Sequence, residues 1–307
     1  MRRSALGKET RGVIKEPLFV EAKLEPRVWG GRRLAGAFGR ELPDGPVGES
    51  WEIHGDLRVI GLDRTLDQLV EELGSALVGT RVDSSAGFPL LTKWLDCQAW
   101  LSVQVHPDDD LAREFTGDPR ARGKTEAWYV HQAGDEAELI HGLAADVEAE
   151  QLRMARGEAI LPLLSRFVPR AGQLLFTPAG QVHALGPGTL IYEVQQSCDL
   201  TYRFYDWGRD RELHLEKAVD CVLRSELVSS TISERSLSCP YFCMELVEGP
   251  LKWEVPPESF QILAATVDSE LEWSGGSTLL RAGQSVLLPA GLGQVEAEGK
   301  FLKVGIP

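Results

Sequence analysis

RAGQLLFTPAG at residues 170–180 reappears as RAGQSVLLPAG at residues 281–291, a constant offset of 281 − 170 = 111. Both stretches read as a glycine turn, four strand residues and a Pro-Ala-Gly turn, the signature of a short buried strand held between two turns. Repetition of that unit predicts two similar β domains. In the first copy His183 follows Gly180 by three residues, whereas the same offset in the second copy holds Gln294, and no histidine follows His214. The repeat therefore predicts one functional barrel and one structural barrel that lacks a histidine metal site.

Working upstream from His183, the run Leu101-Ser-Val-Gln-Val-His106-Pro alternates at period 2. A strand there sends Ser102, Gln104 and His106 to one face and Val103 and Val105 to the other. Residues 123–129, GKTEAWY, form a second β-compatible run in which Lys124 and Glu126 share a face. The set Gln104, His106, Glu126 and His183 offers an amide oxygen, two imidazoles and a carboxylate. Such a donor set suits a borderline divalent cation, zinc first, with iron, manganese or cobalt also accommodated, and leaves room for water or substrate. His131 and His141 flank the acidic loop at 134–138, and His54 and His214 lie in loop or linker contexts. These four read as structural or exposed.

The remainder of the chain fits a mostly-β protein. Pro17 to Asp63 runs in short β-compatible pieces such as Leu18-Phe19-Val20, broken by Gly30-Gly31 and Pro43-Asp44-Gly45-Pro46. Thr65 and Gln68 have capping-box spacing, and Leu66, Leu69, Val70 and Leu73 recur at helical spacing, so the sequence predicts a helix over 65–78. A helical insertion is expected over 145–168, interrupted at Gly157 and Pro162, and a linking helix over 215–225. The expected organisation is a loose polar tail over 1–16, a catalytic barrel over 17–215, and a linker helix with a second, metal-free barrel over 216–307.

Composition narrows the function. The 307 residues carry 32 Lys and Arg against 46 Asp and Glu, a net charge of −14. That balance opposes the phosphate neutralisation on which nucleic-acid binding depends. An anionic small substrate is compatible only where a local cluster of cations overrides the global field. No apolar run approaches the roughly 20 residues needed to cross a bilayer, and no charged-then-apolar leader is visible, so the chain reads as soluble and unexported. Cys97, Cys198, Cys221, Cys239 and Cys243 are an odd set without a Cys-x-x-Cys pair. Reduced thiols in a cytoplasmic protein are the expectation.

Several stretches together resemble one family: Trp29-Gly-Gly31, Gly48-Glu-Ser-Trp51, Phe88-Pro-Leu-Leu-Thr-Lys-Trp-Leu-Asp96, Gln104-Val-His-Pro-Asp-Asp109, Gly123-Lys-Thr-Glu-Ala-Trp128, Pro178 through His183-Ala-Leu185, and Tyr202-Arg-Phe-Tyr-Asp206. In these residues the chain is similar to type I mannose-6-phosphate isomerases, a cupin-fold family. The likeness covers roughly Pro17 to Ala218 in motif-rich form; the C-terminal barrel shares only the cupin frame. The resemblance implies two jelly-roll barrels, one zinc ion held by Gln104, His106, Glu126 and His183, and interconversion of mannose 6-phosphate and fructose 6-phosphate through a cis-enediol. It also implies an essential arginine at Arg203, an acidic pocket residue at Glu193, a pocket lysine at Lys124, and Ser102 at a phosphate-holding position. Glu193 is the first choice for the proton shuttle and Lys124 the alternative; a carboxylate that merely pairs with Arg203 or Lys124 is the competing reading of Glu193. Arg203 would bind the phosphate or stabilise the enediolate.

One departure stands out. Many relatives carry an Ala-His-Pro step after the Glu-x-Trp motif, whereas His54 here falls two residues earlier and does not inherit that role. Two other functional classes fit the same frame, a metal cupin acting on another substrate and a non-catalytic sugar-phosphate sensor. A small-molecule sugar phosphate is the expected partner, for a monomer or homodimer with no nucleic acid and no membrane.

Overall fold

Alternation at period 2 organises the chain into facing sheets. The computed structural model describes residues 14–226 and 228–307; the first thirteen residues of the tail expected over 1–16 lie outside them. Contacts divide the chain into two compact units, one of Leu24–Ser50 and Leu91–Leu237, the other of Trp51–Leu90 and Ser238–Pro307 with residues 14–23.

The first unit is built from β1 (Lys23–Gly31), β2 (Val47–Ile53), β3 (Leu90–Cys97), β4 (Val103–Val105), β5 (Glu126–Ala133), β6 (Leu139–Leu143), β7 (Leu164–Phe167), β8 (Leu174–Thr177), β9 (His183–Leu185), β10 (Thr189–Gln196), β11 (Tyr202–Tyr205) and β12 (Ile232–Ser233). They form a seven-stranded sheet in the order β1-β2-β3-β10-β5-β8-β12 and a five-stranded sheet in the order β11-β4-β9-β6-β7. Alternate residues of the five-stranded sheet, Val103, Val105, Ile140, Ala184, Tyr202 and Phe204, are buried in a cluster with Ala218, Val219 and Cys221 of the helix Leu215–Arg224. The intervening residues Gln104, His141, His183 and Arg203 therefore take the opposite face of that sheet. Between the sheets lies a second cluster of Leu95, Cys97, Trp128, Val130, Leu139, Leu175, Leu185 and Ile191. Continuing two residues along the same strands replaces this apolar floor by Lys93, Glu126, Thr177, His183 and Glu193, so one barrel interior is apolar at one end and polar at the other.

The second unit continues through β13 (Ser236–Ser238), in which the chain passes from one unit to the other, and then β14 (Cys243–Glu248), β15 (Leu251–Val255), β16 (Gln261–Ala265), β17 (Ser269–Trp273), β18 (Gly276–Leu280), β19 (Ser285–Leu288), β20 (Gly293–Glu298) and β21 (Lys300–Gly305). Sheets containing β14-β21-β16-β19 and β15-β20-β17-β18 enclose Val255, Leu263, Leu271, Leu280, Val286, Leu288, Val295 and Phe301. The protein is mostly β, as the repeat implied, with the cupin-type fold that the family resemblance implied.

Three details differ from the sequence expectation. The contacts do not divide the chain at residue 216. The helix Leu215–Arg224 packs on β4 and β11, because its apolar face covers the outer face of their sheet. Residues 51–90 group with the C-terminal strands, where Leu77 O accepts from Ala290 N at 2.9 Å and the Phe88 ring meets Phe260 at 4.8 Å. In the insertion expected over 145–168 only Ala149–Met154 is α-helical; Gly157–Leu163 is a 3-10 helix containing Pro162, and Leu164–Phe167 pairs with β6. Proline lacks the N–H that an α-helical ladder needs there. Finally, the helix expected over 65–78 begins with the Thr65–Gln68 capping box but is split at Gly74, whose φ of 53° interrupts it.

Candidate active site

Antiparallel register brings the predicted residues together in rows. Across the five-stranded sheet Arg203 pairs with Gln104, Gln104 with His183, and His183 with His141. In the seven-stranded sheet Gln195 pairs with Glu126 and Glu126 with Thr177, while Glu193 pairs with Trp128 one row deeper. Directly opposed residues present their side chains on the same face. His106 lies just past the end of β4, and the turn through Gly180 secures it, Gly180 N donating to His106 O at 2.8 Å. Gly180 has φ +80°, and a Cβ at this position would stand 2.6 Å from Ser225 Cβ, so no larger residue closes this turn without displacing the helix end.

His106, Glu126 and His183 form a buried triad whose ligating atoms all lie within 4.8 Å of one another. His106 Nδ1 donates to Leu200 O at 2.8 Å, and His183 Nδ1 donates to Gln181 O at 2.9 Å. Both rings thus keep the unprotonated Nε2 for the interior, the tautomer a metal-binding histidine needs. His106 Nε2 stands 3.3 Å from Glu126 Oε1, and His183 Nε2 stands 3.6 Å from Glu126 Oε2. Neither Glu126 oxygen has a hydrogen bond of good geometry, although both are buried. Two lone pairs around a carboxylate short of donors is a donor set that fits a divalent cation. Gln104 closes the group, its Nε2 3.5 Å from His106 Nε2 and 3.3 Å from His183 Nε2, while Oε1 accepts from Ser102 Oγ at 2.9 Å.

Two buried lysines flank the triad. Lys124 Nζ is 2.9 Å from Glu126 Oε1 and 3.3 Å from His106 Nε2. Its loop is pinned by Lys124 N donating to Pro107 O, by Gly123 N donating to Asp109 Oδ1, and by Thr125 N donating to Gln196 Oε1. Lys93, a residue to which the sequence reading gave no role, projects from β3 and places Nζ 2.9 Å from Glu193 Oε1. Glu193 Oε2 accepts from Trp128 Nε1 at 3.0 Å. Glu193 is therefore paired, but with Lys93 rather than with Arg203 or Lys124. The signal for Lys93 was a lone ammonium in a strand that is buried throughout; such a charge needs a buried partner.

The charges shift one another. Burial alone would raise the Glu126 carboxyl, but the Lys124 ammonium beside it outweighs burial and holds the group well below the usual carboxylate range. Glu193 moves up, through burial and the neighbouring Glu126 charge. Burial works against the Lys93 ammonium, yet Glu193, Glu49 and Glu126 together raise its pKa. Burial, with the charge of Lys124, pushes His106 down to about 3, and burial lowers His183.

Arg203 starts on the same sheet face as Gln104, and its Nε is buried without a hydrogen-bond partner. Burial and then the Arg211 charge lower its pKa. His141, read from the sequence as structural or exposed, is half-buried beside the triad, its Nε2 3.2 Å from Thr177 Oγ1 and its pKa pushed by burial to about 4. His54 belongs to the other unit, with its ring against Trp51 and Nδ1 accepting from Asp56 N.

A cupin-type barrel whose polar end gathers a candidate metal triad, two buried lysines and a raised carboxyl has the groups that an enzyme needs to stabilise negative charge and move protons. Comparison with known proteins specifies the class further. Residues 18–139 match the family model for the phosphomannose isomerase type I catalytic domain. The mannose-6-phosphate isomerase of Streptococcus mutans is 35% identical over 264 residues, spanning 79% of this chain and 80% of that protein. The crystal structure of the mannose 6-phosphate isomerase from Bacillus subtilis superposes with a TM-score of 0.81 at 30% identity, covering 94% of this chain and 99% of that one. A more distant crystal structure, of a mannose 6-phosphate isomerase bound with zinc and yttrium, shares the fold at a TM-score of 0.75 and 16% identity, over 94% of this chain and 98% of that one. The chain belongs to the mannose-6-phosphate isomerase family, and it is an isomerase.

Proposed function

We propose that the chain is a zinc-dependent aldose–ketose isomerase that interconverts mannose 6-phosphate and fructose 6-phosphate through a cis-enediol. The observation carrying this reading is the triad, with two imidazoles locked by backbone carbonyls to present Nε2 around a carboxylate short of donors. Gln104, His106, Glu126 and His183 would hold one ion per chain. When bound, the ion supplies a Lewis acid that polarises a substrate oxygen. For Gln104 to contribute its oxygen, the amide turns over; Ser102, now donating to Oε1, can then accept from Nε2, because a hydroxyl does both.

The remaining groups divide the other tasks. Lys93 and Lys124 offset Glu193 and Glu126, and the imidazoles are neutral. The positive charge of Arg203 and of the metal is then left over for a dianionic phosphate and a developing enediolate, despite a net charge of −14 on the chain. Ser102, Lys124 and Arg203 bind the substrate in this reading. Glu193 carries the proton from C2 to C1, a task suited to a carboxyl whose pKa is raised toward the working pH. Lys124 is the runner-up, but its Nζ already rests on Glu126 and His106. The five cysteines are all free thiols, which supports a cytoplasmic location, and among the described residues no helix is long and apolar enough to cross a membrane.

The first test is a coupled assay of mannose 6-phosphate isomerisation before and after chelation and zinc return. Activity should vanish with the metal and come back with zinc; a chelated, metal-free enzyme at full rate refutes the metal requirement. Arg203→Ala should lower turnover by about a hundredfold or more with metal content intact, and parental activity in that variant removes Arg203 from the mechanism.

A further inference from the structure

The seven-stranded sheet carries a ladder of four alternating charges across four adjacent strands, capped by an indole on the fifth. Arg27 on β1 donates Nε to Glu49 Oε1 at 2.9 Å. Glu49 on β2 puts Oε2 3.9 Å from Lys93 Nζ on β3, and Lys93 Nζ stands 2.9 Å from Glu193 Oε1 on β10. Glu193 Oε2 ends the row on Trp128 Nε1 of β5, whose ring meets His183 at 5.3 Å. Side-chain exposure falls along it, 33% at Arg27, 12% at Glu49, 10% at Lys93 and 5% at Glu193, so the row runs from the surface into the active site.

The geometry points to Arg27 and Glu49 as positioning residues for the isomerase, acting on Glu193 through Lys93. This inference rests on the reading of Glu193 as the proton carrier. Lys93 is a single ammonium between two carboxylates, and its position is the balance of their pulls. Arg27 occupies one oxygen of Glu49 and is itself held by Glu25, whose Oε2 accepts from Nη1 at 2.9 Å, so the pull of Glu49 on Lys93 is partial. Lys93 then stays closer to Glu193 by 1.0 Å, from 3.9 − 2.9. Without Arg27 the second oxygen of Glu49 competes more strongly for Lys93 and draws it outward, and Glu193 loses the cation that fixes its orientation. Without the Glu49 charge Lys93 is given wholly to Glu193, which is then too tightly held to exchange protons. A charge removed at either outer rung of a low-dielectric row is felt at the next.

The experiment is steady-state kinetics on the zinc-loaded enzyme, with metal content and melting temperature recorded for each variant. Arg27→Met should lower kcat about three- to tenfold while KM changes by less than about twofold, and Arg27→Lys, which keeps the charge, should recover about half of the loss or more. Glu49→Gln should lower kcat by a similar factor. Because Arg27 acts only through Glu49, the double variant should be no slower than Glu49→Gln alone. A lowered melting temperature with parental kcat in both single variants, or losses that simply multiply, overturns the ladder. Glu193→Gln separates the two levels of the argument. If it retains parental kcat the proton-carrier reading falls, whereas an inactive Glu193→Gln beside kinetically normal Arg27→Met and Glu49→Gln sinks only the ladder.

Discussion

The two copies of the RAGQ frame share a backbone and differ in what they enclose. Gly172 and Gly283 turn with φ of 92° and 82°, Gly180 and Gly291 with φ of 80° and 68°. Between them Leu174–Thr177 and Ser285–Leu288 are each buried at every position. Three residues past the second turn the copies part. His183 opens β9 facing the interior and is 2% exposed, whereas Gln294 on β20 is exposed and the next residue, Val295, takes the interior position. A shift of one residue exchanges the faces of a strand, so the second barrel fills with Val295, Ala297 and their apolar neighbours while the first holds four charges. The frame supplies the scaffold, and the phase of one short strand decides whether its interior can do chemistry.

The comparison breaks most sharply at His183 itself. His183→Gln places in the first barrel the residue type found at the same offset in the second. The Gln181 carbonyl loses its ring donor and the triad its second imidazole. Zinc affinity should fall about tenfold to a hundredfold or more, and kcat/KM at limiting zinc with it. The chain should remain folded, because the frame of turns and buried strand is untouched. Metal titration alongside circular dichroism checks both halves. Parental zinc affinity would mean that the ion sits elsewhere.

A smaller effect appears on acidification, and the buried imidazoles of the first barrel should generate it. His106 is held neutral at a pKa of about 3 against an ordinary 6.5, so between these values the unfolded chain binds a proton that the folded chain refuses. The stability this histidine contributes is complete above pH 6.5 and drains away as pH falls toward 3. At pH 5 the loss is about 2 kcal/mol. His141, displaced to about 4, works in the same direction. The C-terminal strands from Ser238 to Pro307 contain no histidine, so no imidazole there adds to the drop. Thermal denaturation of the metal-stripped chain at pH 7 and pH 5 should therefore show a drop that shrinks by about 2 kcal/mol in His106→Gln; an unchanged drop would assign the acid sensitivity to other groups.

What could be read beforehand follows from the same alternation. Gln104 and His106 were legible as candidates because residues 101–106 alternate polar and apolar at period 2, Glu126 because it shares a strand face with Lys124, and His183 because it follows the Pro-Ala-Gly turn by three residues. Lys93 was not, because β3 is buried on both faces and its sequence, LLTKWLDC, shows no alternation to sort. The capping box at Thr65 was legible from two residues, but the break at Gly74 was not, since a glycine following a helical run marks an end as readily as a kink. The grouping of residues 51–90 with the C-terminal strands depends on contacts such as Phe88 on Phe260, between residues 172 apart in the chain (260 − 88), and no local pattern encodes those. His141 sits beside the acidic loop in sequence but opposite His183 in register, a pairing that only strand order reveals.

The mildest change probes the second barrel from the other side. If histidine content alone separated the copies, Gln294→His would begin to build a second metal site. The register says otherwise. Gln294 pairs with Glu254 across β15 and β20 on the exposed face of their sheet, so an imidazole there points away from the core. The inward positions around it, Val255, Leu271 and Val295, offer no donor atom to complete a shell. Gln294→His should therefore leave zinc stoichiometry and kcat at their parental values and change stability by no more than about 0.5 kcal/mol, as exposed substitutions usually do. Equilibrium dialysis against zinc decides the matter. A second equivalent bound by Gln294→His but not by the parent would show that residue type rather than strand phase distinguishes the barrels.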